Sequence, residues 1–397
     1  MDCCCCYLLK LVIVVSGFLS VITSFPETTS LVFGLTTPEP CEFQGIFNFG
    51  DSNSDTGGHS AAFGQAPPPN GETYFHAPAG RLSDGRLVID FMAESLGFPY
   101  LNAYLDSVGS NFTHGANFAT ASSTIKPQNK PLPQGGFSPF SLDVQFNQFN
   151  NFHRRSQAAR RQGVVWQELM PKNESFSRAL YTVDIGQNDL LAGYFLNMST
   201  DQVRAYIPDL LGQFTTSIKN IYWQGGRWFW IHNTGPVGCL PSVLDRLPIT
   251  AAQVDKAGCA SPFNEVAQFF NIRLKEALAQ LRKDLPLASI TSVDVYSVKY
   301  SLISKASKLG FELPLVACCG YGGKHNYNRY MGCGSKVTIN GKQILVGKSC
   351  KDPSVRINWD GVHYTEAANK WIFDQIVDGS YSDPPMPLKM ACHRVTN

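Results

Sequence analysis

The chain has 397 residues, 44% hydrophobic and 16% charged, enough apolar material for a large buried core and far from the composition of a disordered polymer. Its 33 Lys and Arg against 31 Asp and Glu leave a formal charge of +2. With no long basic run, nothing is arranged to neutralise a nucleic-acid backbone, and nucleic acid is excluded as an expected partner.

The first informative segment runs from Leu8 to Ile22, apolar except for Lys10, Ser16, Gly17 and Ser20, with Thr23 and Ser24 following before Pro26. It reads as a signal peptide over residues 1–25, so the product is expected to be secreted, with no stable membrane insertion after cleavage. The run falls short of the roughly 20 apolar residues of a membrane span. The alternative is an uncleaved anchor with Cys3 to Cys6 palmitoylated beside it.

Outside the leader stand eight cysteines: Cys41, Cys239, Cys259, Cys318, Cys319, Cys333, Cys350 and Cys392. An even number in a secreted chain implies disulfides. Connectivity stays open, although Cys239 with Cys259 and a cluster among Cys318, Cys319, Cys333 and Cys350 are the economical choices, adjacent Cys318 and Cys319 being poor partners for each other. With no Cys-x-x-Cys beyond the leader and no His-Glu-x-x-His, no metal is expected. Asn111, Asn173 and Asn197 each head an Asn-x-Ser/Thr glycosylation sequence, in keeping with the secretory route.

Along the rest of the chain, short apolar runs alternate with helical patterns. Ile46 to Phe49 reads as a strand ending in Gly50. Val88, Phe91, Met92 and Leu96 then recur at helical spacing. Ala179 to Ile185 is a second strand, a helix follows from Asp201 to about Trp223, and Trp228 to Ile231 is apolar at every position, as a strand buried on both faces must be. Val266, Phe269, Phe270, Leu274, Ala277, Leu278 and Leu281 then form a helical stripe before a strand at Ile290 to Val295. The repetition predicts an α/β fold with a parallel sheet covered by helices on both faces. Residues 126–140, with four prolines, and residues 309–347, rich in Gly, Tyr, Asn and Cys, read as long surface loops and as candidates for closing over a site. Neither suits a linker and no internal repeat occurs, so residues 26–397 are expected to form a single domain, its core about 41–392.

Four places carry chemistry. In Phe49-Gly50-Asp51-Ser52-Asn53-Ser54-Asp55-Thr56-Gly57-Gly58 an apolar strand runs into a polar turn, which puts Ser52 where ligands bind in open parallel sheets. The plainer reading is that Ser52 and Asp55 cap the turn. In Trp359-Asp360-Gly361-Val362-His363 an Asp three residues before a His can orient the ring within one turn, so that Asp360 would hold His363 and His363 would deprotonate Ser52. His114, His232 and His325 are rival histidines. Gly115 in Gly-Ala-Asn-Phe-Ala and Asn188 in Gly-Gln-Asn-Asp could join the Ser52 N–H in an oxyanion hole, where one donor lowers a barrier by roughly 3–4 kcal/mol.

Together these segments resemble the plant GDSL esterase/lipase family of the SGNH hydrolase superfamily, over roughly residues 41–392. The resemblance places the nucleophile on Ser52, the oxyanion glycine on Gly115, the oxyanion asparagine on Asn188, and the Asp–His pair on Asp360 and His363. Ile231-His232-Asn233-Thr234-Gly235-Pro236-Val237-Gly238-Cys239 and Ala317-Cys318-Cys319-Gly320 are similar to the family as well. The Ser52 block with Tyr74-Phe75-His76 is similar to its early-nodulin branch, which includes a latex allergen esterase and proteins labelled α-L-fucosidase. One departure is Tyr364 after His363, where proline is common. The resemblance implies a three-layer α/β/α flavodoxin-like fold, hydrolysis of small-molecule or glycan esters, secretion to the apoplast or cell wall, and no cofactor. Short-chain or acetyl esters of sugars or specialised metabolites are the expected substrates, because the loops offer polar and aromatic residues. Other readings are a lipase for longer acyl chains, a glycosidase using two of Asp51, Asp55, Asp189 and Asp360, and a non-catalytic defence or binding protein. No Gly-x-Ser-x-Gly elbow of an α/β-hydrolase occurs.

Overall fold

The computed structural model describes residues 39–128 and 138–394. The leader therefore lies outside the described residues, as does most of the proline-rich stretch. The strands are β1 (Ile46–Gly50), β2 (Gly115–Asn117), β3 (Leu180–Asp184), β4 (Trp228–His232), β5 (Ser289–Val293), β6 (Lys336–Ile339), β7 (Lys342–Leu345) and β8 (Ser382–Asp383). The helices are α1 (Gly58–Phe63), α2 (Val88–Ser95), α3 (Leu142–Arg160), α4 (Val164–Leu169), α5 (Gln187–Phe195), α6 (Thr200–Trp223), α7 (Pro241–Arg246), α8 (Ser261–Asp284), α9 (Val295–Ser304) and α10 (Glu366–Ile376).

Strand order is β2-β1-β3-β4-β5-β8, the first five parallel. The expected parallel sheet is borne out, and at its edge the two-residue β8 adds one antiparallel pairing to β5. Side-chain alternation splits the core in two. Phe47, Phe49, Tyr181, Val183, Phe229 and Ile231 pack with residues of α3, α5, α6 and α8, whereas Ile46, Leu180 and Trp230 pack with residues of α2, α9 and α10. A period of two along strands buried on both faces thus builds helix, sheet and helix layers. The order 2-1-3-4-5 is that of flavodoxin-like folds, whose ligands bind where the winding reverses, beyond the carboxyl ends of β1 and β3.

Local chemistry sets several ends. Ser199 accepts from Gln202 N while the Gln202 side chain accepts from Ser199 N, a capping box that starts α6. Asp294 ends β5 and caps α9 by accepting from Ser297 N. On α8 the residues Val266, Phe270, Leu274, Leu278 and Leu281 are buried, while Phe269 and Ala277, also expected on the stripe, sit at its half-buried margin.

Four disulfides form: Cys41–Cys392, Cys239–Cys259, Cys318–Cys350 and Cys319–Cys333. The last two pack around fully buried Trp359. Residues 309–347, expected as a long surface loop, contain a hairpin, because Asn340 and Gly341, both at positive φ, turn β6 back onto β7. They are also anchored: Cys318 N donates to Asn358 O and Cys319 N to Trp359 O. This segment buttresses the Asp360–His363 turn.

Candidate active site

β1 delivers Ser52 to the crest of the sheet. Gly50, the last residue of β1, has no room for a side chain, since a Cβ there would stand 2.4 Å from Asp184 O and 2.7 Å from Ser54 Oγ. Asp55 turns the chain into α1, its Oδ1 accepting from Gly57 N and Gly58 N and its Oδ2 from His59 N and, across to the segment after β2, from Ala121 N at 2.7 Å. The capping reading of Asp55 therefore holds, and one carboxylate clamps the Ser52 turn to its neighbour.

Asp360 and His363 form one compact turn. Asp360 Oδ1 accepts the backbone N–H groups of Val362 and His363, and Oδ2 lies 2.6 Å from His363 Nδ1. Among the described residues His363 Nε2 is buried with no hydrogen-bond partner. Burial works against charge on the ring, but the Asp360 carboxylate and its hydrogen bond, with Asp51 and Asp55 behind them, raise the pKa above the ordinary imidazole value. Burial likewise pushes Asp360 up, and the His363 charge and hydrogen bonds outweigh it and hold the carboxyl below its usual range. A ring fixed at Nδ1 and open at Nε2 is the arrangement a general base requires. Ser52 Oγ and His363 Nε2 make no hydrogen bond in this structure, a contact that often tightens only with substrate bound. Thr365 accepts from Ala368 N to start α10 two residues after His363, so the His363 turn is held from both sides.

Of the oxyanion candidates, Asn188 sits in the first turn of α5, just beyond the carboxyl end of β3, and one amide hydrogen goes to Ser123 O at 2.9 Å. The other is uncommitted among the described residues. Gly115 is a correction. It pairs with Ile46 at the start of β1, about 13 Å of strand from the crest, and its N–H is spent on Phe112 O at 3.0 Å. The segment that does reach the crest lies beyond β2. Phe118 N donates to Asn48 O and Thr120 N to Gly50 O, after which Ser122 adopts the left-handed conformation at φ 65°. Among the described residues, neither Ser52 N–H nor Ser122 N–H donates to any acceptor. A serine at positive φ is uncommon and leaves no mark in sequence, so only the fold could find it.

The rival histidines have other places. His232 accepts from Trp230 Nε1 at its Nε2, which leaves its Nδ1 hydrogen for Asp184 Oδ2 at 3.1 Å. His114 is exposed at the far end of the sheet, and His325 bonds to Leu315 O.

Two buried carboxyls under the site diverge. Burial pushes Asp184 up, but the His232 hydrogen bond and the Lys299 charge hold it below the usual range. Asp51, beside it, is pushed up to about 7 by burial and by the Asp184 charge, and its Oδ2 has no partner among the described residues. Since the unfolded group titrates near 3.8, folded Asp51 retains a proton that the unfolded chain releases between about pH 4 and 7, so this group's stability contribution is lost as pH rises through that window. Asp51→Asn keeps an acceptor for the two Asn53 donors. In urea unfolding its stability relative to the parent should rise from pH 4.5 to pH 8 by up to about 3 kcal/mol; a pH-independent difference would contradict the assignment.

The GDSL-like Lipase/Acylhydrolase family model matches residues 46–376. An Arabidopsis thaliana GDSL esterase/lipase is 61% identical over 89% of this chain and 93% of its own. A Hevea brasiliensis esterase is 59% identical over 90% of each chain, and a protein named Alpha-L-fucosidase 3 of Arabidopsis thaliana is 58% identical over 90% of this chain and 94% of its own. A solved phospholipase A1 from Streptomyces albidoflavus aligns at a TM-score of 0.34 and 10% identity, over 72% of this chain and 91% of that one, too distant to inform the site. With a matching model over most of its length and named esterases at this identity, the chain belongs to the GDSL-like lipase/acylhydrolase family and is an ester hydrolase.

Proposed function

We propose that the chain is a secreted serine esterase acting on short-chain, above all acetyl, esters of sugars or specialised metabolites through an acyl-enzyme at Ser52. The observation that carries the reading is the buried Asp360–His363 pair, joined at 2.6 Å with Nε2 left unpartnered among the described residues. Ser52 Oγ attacks the ester carbonyl as its proton passes to His363 Nε2, and Asp360 holds the ring and stabilises its charge. The Ser52 and Ser122 N–H groups and the Asn188 amide receive the oxyanion, Ser122 taking the part first expected of Gly115. The intermediate collapses, the alcohol leaves with the proton from His363, and water repeats the sequence to release the acid and free Ser52. Supporting a small acyl group is the polar makeup of the segments that carry Ser52 and Ser122, which hold Asn53, Ser54, Thr56, Thr120, Ser123 and Thr124, of which Asn53 is half-buried and the other five are buried.

Secretion is supported by the four disulfides, and Asn111, Asn173 and Asn197 are exposed as glycan attachment requires. No helix among the described residues is long and apolar enough to cross a membrane. The glycosidase reading finds less support. Asp55, Asp189 and Asp360 are engaged with backbone N–H groups or His363, and Asp51 with Asn53. The test is a substrate series on the purified protein. Acetyl esters should turn over at least about tenfold faster than dodecanoyl esters, with a pre-steady-state burst of alcohol where deacylation is slower. Hydrolysis of 4-nitrophenyl α-L-fucoside without ester turnover would overturn the reading.

A further inference from the structure

One face of α1 carries features that the acyl-transfer steps do not use. His59 and Phe63, four residues apart, share that face, while Ser60 and Ala61 on another side line a separate cavity of about 480 Å³. The two rings lie 5.1 Å apart, and Phe63 lies 5.9 Å from Phe140. Phe63 is 50% exposed, a large apolar ring given to solvent.

The strip is fixed to the reaction centre at both ends. His59 N–H shares the Asp55 carboxylate with Ala121 N–H, so the helix is locked to the segment that carries Ser122. Phe140 O accepts from Gln145 Nε2, which also donates to Gly50 O, while Gln145 Oε1 accepts from Gly50 N. That holds Phe140 to the end of β1, two residues before Ser52. Burial lowers the pKa of the His59 ring below the ordinary imidazole value, outweighing the Asp55 charge and a hydrogen bond with the Ala121 backbone that raise it, and the charge of His363 adds to the lowering. The ring is therefore neutral at pH 7. Among the described residues its Nδ1 is buried with no hydrogen-bond partner, a condition costing about 1–3 kcal/mol unless a ligand supplies the partner. A ligand suited to this strip combines a flat apolar face for Phe63 with a hydroxyl for His59, and a pyranose ring has both.

We propose that His59, Phe63 and Phe140 form the subsite that seats the sugar ring of an acetylated substrate, its C–H face on Phe63 and a ring hydroxyl hydrogen-bonded to His59 Nδ1. The proposal rests on the serine-esterase reading and deepens it by naming the alcohol.

The test is the ratio of kcat/KM for methyl 2-O-acetyl-β-D-xylopyranoside to that for ethyl acetate, which has no ring. Phe63→Ala and His59→Ala should each lower this ratio about tenfold. Phe63→Leu, which keeps apolar bulk without a flat face, should behave as Phe63→Ala, and His59→Asn, which returns a polar atom near Nδ1, should restore most of the ratio. A ratio within twofold of the parent in Phe63→Ala and His59→Ala overturns the subsite. In the Ser52→Ala background, NMR titration with the acetylated xyloside reads the same contact without turnover, and Phe63→Ala should weaken Kd about tenfold; an unchanged Kd overturns the proposal. Failure of the serine-esterase reading is distinguishable, because it would show as undiminished turnover by Ser52→Ala itself.

Discussion

Replacing Ser52 by alanine is expected to lower kcat for acetyl ester hydrolysis by about five orders of magnitude, with KM changed by less than about threefold. The nucleophile forms and breaks the covalent bond to the acyl group, so without it the acyl-enzyme route is closed, and what remains is water attacking an ester polarised by the oxyanion donors. The fold should survive. Ser52 makes no hydrogen bond to any other described residue, and the turn is held by Asp55, by Asp51 N donating to Asp184 O and by the Gln145 contacts with Gly50. Substrate binding should survive as well, because removing one hydroxyl leaves the surrounding rings and amides in place. The measurement is steady-state kinetics on 4-nitrophenyl acetate, with far-ultraviolet circular dichroism as the check on folding. A folded variant retaining more than about one hundredth of parental kcat would place the nucleophile elsewhere.

Asp360→Asn is expected to cost about 10⁴-fold in kcat and also to move the pH profile. Asp360 Oδ2 fixes the hydrogen of His363 on Nδ1 and presents a bare Nε2. An amide at 360 can turn its NH₂ toward Nδ1, which selects the opposite tautomer and puts the hydrogen on the nitrogen that should receive one. The profile follows from charge. His363 must be neutral to act as a base, and in the parent the Asp360 carboxylate raises its pKa above 6.5, so kcat/KM should climb with pH through an apparent pKa above that value. With Asp360 neutral, the burial that disfavours the imidazolium is unopposed by its main partner. The residual activity of Asp360→Asn should then climb through a lower pKa. A variant with full activity, or with an unmoved acidic limb, would mean that Asp360 does not act on His363.

Where a short contiguous segment carried the information, the sequence was a good guide. β4 was legible because a strand buried on both faces is apolar at successive positions, β1 because Ile46, Phe47 and Phe49 surround a single Asn48, and α8 because one heavy stripe recurs over residues 266–281. Asp360 and His363 were legible because three residues of separation suffice to join their side chains. Gly115 misled for a physical reason: it heads the same short run as Asn117 and Ala119, but a parallel strand and its extension carry the chain the length of β1 before it reaches the crest. The residue found there, Ser122, is marked by a backbone angle and by nothing in its chemical identity. Asn340-Gly341 was an available hairpin signal hidden in a stretch read by its loop-like composition. The dual service of Asp55, to α1 and to Ala121, depends on residues 66 apart and was not legible at all.

The central claim is that Ser52 is a nucleophile activated by His363, and covalent labelling tests it most directly. The purified protein is treated with a fluorophosphonate and digested, and the modified peptide is mapped by mass spectrometry, with Ser52→Ala and His363→Ala as controls. The account predicts a single adduct on Ser52, absent from Ser52→Ala and slowed at least about a hundredfold in His363→Ala. A folded parent that takes no label, or an adduct on another serine, would contradict it.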